Sequence, residues 1–277
     1  MPIKNILLHM ANDDRHSERL DLAVALARRH NAHLHICYFT LPQSMPAAVT
    51  GRGASYAYIA EATTIAREKA EELRHEVESK CTELDWSFET LEEDHVDAMA
   101  RRTYLSDLAI VSQTNSAAQA DRITLHLPDE LSLGTACGVL VLPHDPTVTF
   151  TGKNLIVAWK PTKESSRGLR DSIGLMREAH TVSVVSLVAA DDRVVAEDEV
   201  GRVVGFLSNH GIDAKPHLIE ARRGEAYGKI LLDEAAKMTA DGIIMGAYSH
   251  SRFRERVLGG MTRYMLQHTT IPLVMSH

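Results

Sequence analysis

Lys4-Asn5-Ile6-Leu7-Leu8 returns in the second half of the chain as Lys153-Asn154-Leu155-Ile156-Val157. Each is a short apolar run that opens its half, followed by turn residues and then a helical pattern. Leu20, Ala23, Val24 and Ala27 recur at helical spacing in the first half, as do Leu169, Ile173 and Met176 in the second. Working outward, Asp107-Leu108-Ala109-Ile110-Val111-Ser112 matches Asp241-Gly242-Ile243-Ile244-Met245-Gly246. Gly138-Val139-Leu140-Val141-Leu142-Pro143 then matches Ile271-Pro272-Leu273-Val274-Met275, so both halves end on an apolar strand. Self-similarity of this kind marks a repeated structural unit. The chain reads as two copies of one small domain, 1–146 and 147–277. They are divided near Pro143-His144-Asp145-Pro146-Thr147, where two prolines interrupt any regular element.

Within each copy, strands alternate with helices. Strands are expected near 3–10, 32–38, 85–90, 107–112 and 138–142, then near 153–159, 181–188, 214–219, 242–246 and 271–275. Helices are expected near 15–30, 57–82, 94–103 and 121–134, then 163–178, 193–210, 224–239 and 259–268. Helix 57–82 carries Ala62, Ala66, Ala70, Leu73 and Val77 along one stripe. Continuous apolar strands such as Ile6-Leu7-Leu8 and Ile243-Ile244-Met245 belong to parallel sheets covered on both faces. The fold class is therefore α/β: two tandem doubly wound domains, each a five-stranded parallel sheet with helices on both faces. Ligands of such sheets sit beyond the carboxyl ends of the strands, where the strand order reverses.

Composition narrows the function. The 277 residues are 44% hydrophobic and 24% charged, as in a globular protein. A net charge of -7 argues against a nucleic-acid partner, which requires a basic face. No apolar run reaches the ~18–20 residues of a membrane span. The N-terminus enters a strand pattern at once, without a signal peptide's apolar region. Cys37, Cys81 and Cys137 form no CxxC pair, which suits a reducing compartment. A cytoplasmic protein without membrane or nucleic-acid partners is expected.

The segment after the fourth strand of the second half carries the chemistry. It runs Gly246-Ala247-Tyr248-Ser249-His250-Ser251-Arg252-Phe253-Arg254-Glu255-Arg256-Val257-Leu258-Gly259-Gly260-Met261-Thr262-Arg263. Glycines at a helix start let backbone N–H groups approach an anion, and the helix dipole favours negative charge there. The dipole alone is worth only ~0.3–1 kcal/mol, so arginines such as Arg252 would have to contribute. Tight turns and a solvated basic surface are the alternative reading of the same residues.

This segment resembles the phosphate loop of the universal stress protein family, whose nucleotide-binding members carry Gly-2x-Gly-9x-Gly-[Ser/Thr]. From Gly246, the family's second glycine falls on Ser249, the third on Gly259 and the Ser/Thr on Gly260. The spacing is kept, and two of the four positions depart. The wording Gly-Ala-Tyr-x-His-Ser-Arg…Leu-Gly-Gly-x-Thr-Arg is similar to a variant loop of tandem bacterial members. The resemblance covers nearly the whole chain and implies the adenine-nucleotide alpha-hydrolase-like fold. It also implies ATP or a related adenine nucleotide as ligand. The Asp that recognises adenine at the end of the family's first strand is replaced by Ala11 and by Lys160. Asn12, Asp13 and Asp14 lie just beyond Ala11, as substitutes or as a helix cap. In the first half Ser112-Gln113-Thr114-Asn115 stands where the loop should begin, and Gly134 reads as a helix C-cap. The first copy is read as having lost its site.

The site set is thus Gly246, Ser249, Arg252, Gly259, Gly260 and Met261, with Lys160 supplying charge. Arg222-Arg223-Gly224-Glu225 after the preceding strand reads as a phosphate contact or a solvated helix start, and Asp191-Asp192 as helix-start charges. Pro42 to Ser55 reads as a flap or a surface loop. His33, His35 and Cys37 share one strand face and could hold zinc or copper. Hydrogen-bonded histidines on a buried face is the reading adopted, so no metal is assigned. No GxSxG, Walker lysine loop or carboxylate pair specifies an enzyme, and slow ATP hydrolysis is the most the sequence allows. Beside the nucleotide reading stands a ligand-free scaffold. In the family the last strands of two domains pair across an interface. Here 138–142 and 271–275 could pair within one chain, or the chain could form a homo-oligomer. The scaffold reading predicts a cleft filled by side chains such as Trp159 and Tyr248.

Overall fold

The Lys-Asn pair that opens each repeat is held by the same carboxylate device. The backbone N–H groups of Lys4 and Asn5 donate to Asp107 Oδ2 at 2.8 and 2.9 Å. Those of Lys153 and Asn154 donate to Asp241 at 3.0 and 3.1 Å. Each aspartate immediately precedes a strand that lies beside the opening strand. A sequence-distant side chain therefore fixes where the first and fourth strands start relative to one another.

In the computed structural model, residues 2–42, 44–46, 52–114, 122–124, 127–145, 147–222, 225–247 and 260–277 are described. They fall into two units, Ile3–Cys137 and Gly138–His277, the latter joined by Pro2. The first unit runs β1 (Asn5–Ala11), α1 (His16–His30), β2 (His33–Phe39), β3 (Ser44–Pro46), α2 (Arg52–Lys80) and β4 (Trp86–Leu91). It continues with α3 (His95–Thr103), β5 (Leu108–Ser112), β6 (Arg122–Thr124) and α4 (Leu127–Gly134). Its main strands are parallel in the order β5-β1-β2-β4, with β3 and β6 as a separate antiparallel ribbon.

The second unit runs β7 (Gly138–Leu142), β8 (Asn154–Ala158), α5 (Lys163–Asp171), α6 (Ile173–Met176), β9 (Thr181–Val188) and α7 (Arg193–Asn209). It ends with β10 (Ala214–Glu220), α8 (Tyr227–Lys237), β11 (Gly242–Gly246), α9 (Gly260–His268) and β12 (Leu273–Ser276). Strands β10-β9-β8-β11-β12 form the expected five-stranded parallel sheet. The chain leaves β8 toward β9 and β10 on one side and later returns to β11 and β12 on the other. The strand order therefore reverses between β8 and β11. Ile6, Leu7 and Leu8 in one sheet, and Ile156, Val157, Ile243 and Ile244 in the other, are all buried.

Several boundaries differ from the sequence expectation. The strand at 138–142 groups with the second unit, so the units divide at 137/138 rather than at 146/147. The cause is pairing: β7 runs antiparallel to β12, with Val141 opposite Leu273, Leu140 opposite Val274 and Val139 opposite Met275. By repeat β7 closes the first copy; by packing it completes the second sheet. Of the helix expected at 121–134, the described residues give α4 and, at Arg122–Thr124, β6; residues 121, 125 and 126 lie outside the described residues. The expected helix 163–178 breaks at buried Ser172 (φ -94°, ψ 2°) into α5 and α6. Helix α2 begins at Arg52, so the loop expected over Pro42–Ser55 is shorter. Residues 43 and 47–51 of that loop lie outside the described residues.

Candidate functional site: a cleft at the carboxyl edge of the second sheet

Beyond the ends of β8, β9 and β11 lies a cleft of about 690 Å³, within the usual size range of small-molecule sites. Among the sequence-predicted residues, Lys160, Gly246, Gly260 and Met261 all line it. Ser249, Arg252 and Gly259 lie outside the described residues, as do Tyr248, Arg254 and Arg256. Lys160 follows the end of β8 and is exposed, with no ion-pair partner for its ammonium among the described residues. Gly260, Met261 and Thr262 come from the first turn of α9, and Ser165 from the first turn of α5. Two helix N-termini thus border one cavity, the arrangement that favours an anion.

Gly246 has a packing role as well. A Cβ placed on it would meet Ser165 N at 2.4 Å and the Glu164 carbonyl carbon at 2.5 Å. The end of β11 therefore lies directly against the start of α5. Gly168 makes the matching approach, since a Cβ there would stand 2.9 Å from Met245 O. Gly260 differs: no described atom lies within 4 Å of a Cβ at that position.

Sequence reasoning missed much of the lining. Val185, Leu187, Val188 and Ala189 supply an apolar wall, Tyr227 opens α8, and carboxylates come from Asp192, just before α7, and Glu199, in its second turn. Asp192 was expected only as a helix-start charge. Trp159 lines the cleft without closing it, and its buried indole Nε1 has no hydrogen-bond partner among the described residues. The strand pattern announces the wall, but nothing local in the sequence shows that the start of α7 faces it. Arg222 is exposed and outside the lining, its N–H donating to Glu225 Oε2 at 2.9 Å; Arg223 and Gly224 lie outside the described residues.

The corresponding position of the first unit is occupied by its own side chains. Arg19 is 1% exposed, and its guanidinium donates to Asp13 (Nη1–Oδ1 3.0 Å, Nη2–Oδ2 2.6 Å), Ser112 Oγ (2.8 Å) and His9 O (3.0 Å). Asp13, a possible substitute for the missing aspartate, is committed to this arginine. Counting from the Lys-Asn pairs that open the two repeats, Arg19 stands as far past Lys4 as Gly168 past Lys153. Ser112 and Gly246 end equivalent strands. The same crossing is filled by an arginine in one copy and made by two glycines in the other.

The nearest described polar cluster to a metal site is also in the first unit. His35 and Cys37 of β2 converge with Glu89 of β4, their ligand atoms all within 4.8 Å of one another. His33 is not part of it: its ring nitrogens meet Ser87 Oγ at 2.9 Å and Asp85 Oδ2 at 3.0 Å. Glu89 was absent from the sequence reading because its strand is distant in the chain.

No protein-family model and no curated protein matches the sequence. Solved structures do. A universal stress protein from Archaeoglobus fulgidus superposes with a TM-score of 0.70 over 98% of this chain and 97% of its own, at 16% identity. A functionally unknown protein from Pseudomonas aeruginosa superposes with a TM-score of 0.59 over 99% and 92%, at 18% identity. The chain has the fold of a universal stress protein. That fold spans both units, which agrees with the repeated α/β architecture. No described helix is long and apolar enough to cross a membrane.

Proposed function

We propose that this chain is a cytoplasmic tandem universal stress protein whose second unit binds an adenine nucleotide or another phosphorylated ligand. The first unit has lost its site. The observation that carries this reading is the convergence of Lys160, Gly246, Gly260 and Met261 on one cleft at the reversal of strand order. Phosphate oxygens would accept from the Gly260 and Met261 N–H groups at the start of α9 and from the Lys160 ammonium. Ser249, Arg252 and Gly259 complete the loop in this proposal. Asp192 and Glu199 repel phosphate and instead accept from ligand hydroxyl or amino groups. The Trp159 indole N–H offers a donor for a ligand acceptor. With Lys160 in place of the family's aspartate, recognition of the base falls to these carboxylates and the apolar wall.

Denaturing extraction followed by mass spectrometry, with thermal-shift titration of ATP, ADP and AMP, tests the proposal. A ligand at a hundred times its Kd stabilises by ~2.7 kcal/mol, a readily measured rise in midpoint. Lys160→Ala should weaken binding about tenfold, the scale of one charge-assisted contact. No co-purified nucleotide and no shift at millimolar concentration would sink the nucleotide reading. The scaffold reading would then lead, supported by the β7–β12 pairing.

A further inference from the structure

We propose that His35, Cys37 and Glu89 form a binding site for one thiophilic divalent cation of the zinc class. The site lies in the first unit and is independent of the nucleotide reading. Strands β2 and β4 are parallel neighbours in register, with Cys37 opposite Glu89 and His35 opposite Ser87. The period of two turns His35, Cys37 and Glu89 to one face. A thiolate, an imidazole and a carboxylate are the ligand types that zinc accepts, and three protein ligands leave a fourth position for water. Tetrahedral zinc needs ligand atoms roughly 3.3–3.7 Å apart, so the cluster must tighten by about 1 Å, within reach of side-chain torsions.

Proton placement along the two strands favours a cation here. A carboxylate only accepts, so with neutral imidazoles His33 Nδ1–H donates to Asp85 Oδ2 (3.0 Å). His33 Nε2 then accepts the single hydroxyl proton of Ser87 (2.9 Å). Ser87 Oγ must in turn accept from His35 Nδ1–H (2.7 Å). His35 Nε2 is left with a lone pair, 3.4 Å from Glu89 Oε2. With His35 neutral these are two acceptors beside a thiol, a set that a metal cation can bridge in place of a proton. The Ser87 contact also supplies the outer hydrogen bond that typically orients a metal-bound histidine.

Arg102 competes for Glu89 but also positions it. Its Nη2 donates to Oε1 at 2.7 Å and its Nε to Oε2 at 3.0 Å. Binding retains the first contact, turns Oε2 toward the cation and releases the Cys37 thiol proton to solvent. Cys37 is buried, whereas the His35 and Glu89 side chains are 31% and 42% exposed, so the cation enters past these two.

The test is titration of the chelator-treated full-length chain with Co²⁺ and then Zn²⁺. One equivalent of cobalt should give a thiolate-to-metal charge-transfer band, bleached by zinc, with about one proton released per cation. Cys37→Ser should abolish the band while Cys81→Ser keeps it. His35→Gln and Glu89→Gln should weaken binding at least tenfold, and Ser87→Ala by about tenfold. Circular dichroism and the thermal midpoint check that each variant is folded. If Cys37→Ser does not fold, the half-buried His35→Gln decides. The proposal is overturned if no one-equivalent band forms, or if the band survives the deciding variant.

Discussion

Eight residues past Ala11 the first repeat carries Arg19, and eight past Lys160 the second carries Gly168. That difference alone gives the two switch points different chemistry. Arg19 is buried against a carboxylate only 24% exposed, so removing the carboxylate strands a guanidinium in the interior. Asp13→Ala should therefore cost ~3–5 kcal/mol in urea denaturation, more than a surface ion pair. Close by, His9 and His95 are buried and joined Nε2 to Nδ1 at 2.9 Å. His95 Nε2 lies 2.9 Å from Leu41 O and must donate to it, so His95 Nδ1 accepts from His9 Nε2–H. Burial holds both imidazoles below the ordinary 6.5, His9 well below it with the His95 and Arg19 charges adding to the effect. The unfolded chain then binds more protons than the native one as pH drops through 6.5, so acid favours unfolding. The denaturation midpoint should fall between pH 7.5 and pH 5.5, and His95→Gln should reduce that fall. An unchanged pH dependence in this variant would contradict the assignment.

At the scale of the element, the repeat is legible because the same short pieces solve the same problem twice. Asp107 and Asp241 each tie the opening strand to its neighbour through two backbone N–H groups. Replacing either by Ala should cost about 1 kcal/mol, the net worth of hydrogen bonds that water can replace, measured as a lower midpoint. The crossing of α5 over β11 tests differently. Gly246→Ala drives a methyl into the α5 backbone and should cost ~1–3 kcal/mol by overpacking. Gly260→Ser places its Cβ in open space among the described residues, so the midpoint should stay within ~0.5 kcal/mol. Its hydroxyl adds a donor at the start of α9, and phosphate-containing ligands should bind more tightly. Equal destabilisation by the two substitutions would contradict the distinction between a packed and an open glycine.

For the molecule, the two copies are predicted to be unequal. Calorimetric titration should give one nucleotide per chain, because Arg19 and Asp13 occupy the switch point of the first unit, whereas the close glycine crossing of the second leaves a cleft beside it. Two equal sites would remove the basis for calling the first copy degenerate. The boundary has its own consequence. A fragment beginning at Gly138 keeps β7 against β12, whereas one beginning at Thr147 leaves β12 as a bare edge strand prone to pairing with other chains. The longer fragment should have the higher midpoint and remain the more soluble.

The sequence by itself determined the repeat, the α/β class and the parallel character of the main sheets. Apolar periodicity and the recurring Lys-Asn and Asp-apolar runs are local signals, readable within a window of a few residues. It also pointed to Gly246, Gly260 and Met261, through the anion preference of a glycine-rich helix start together with the family resemblance, and to Lys160 through that resemblance alone. Only the tertiary structure decided what surrounds them. The carboxylates of α7 against the ends of the strands, the join of Glu89 to His35 and Cys37, the bond from Arg19 to Ser112 and the antiparallel seat of β7 all bring together residues far apart in the chain. Such contacts depend on strand order and on the close approach that two glycines permit, and neither is encoded in any one segment.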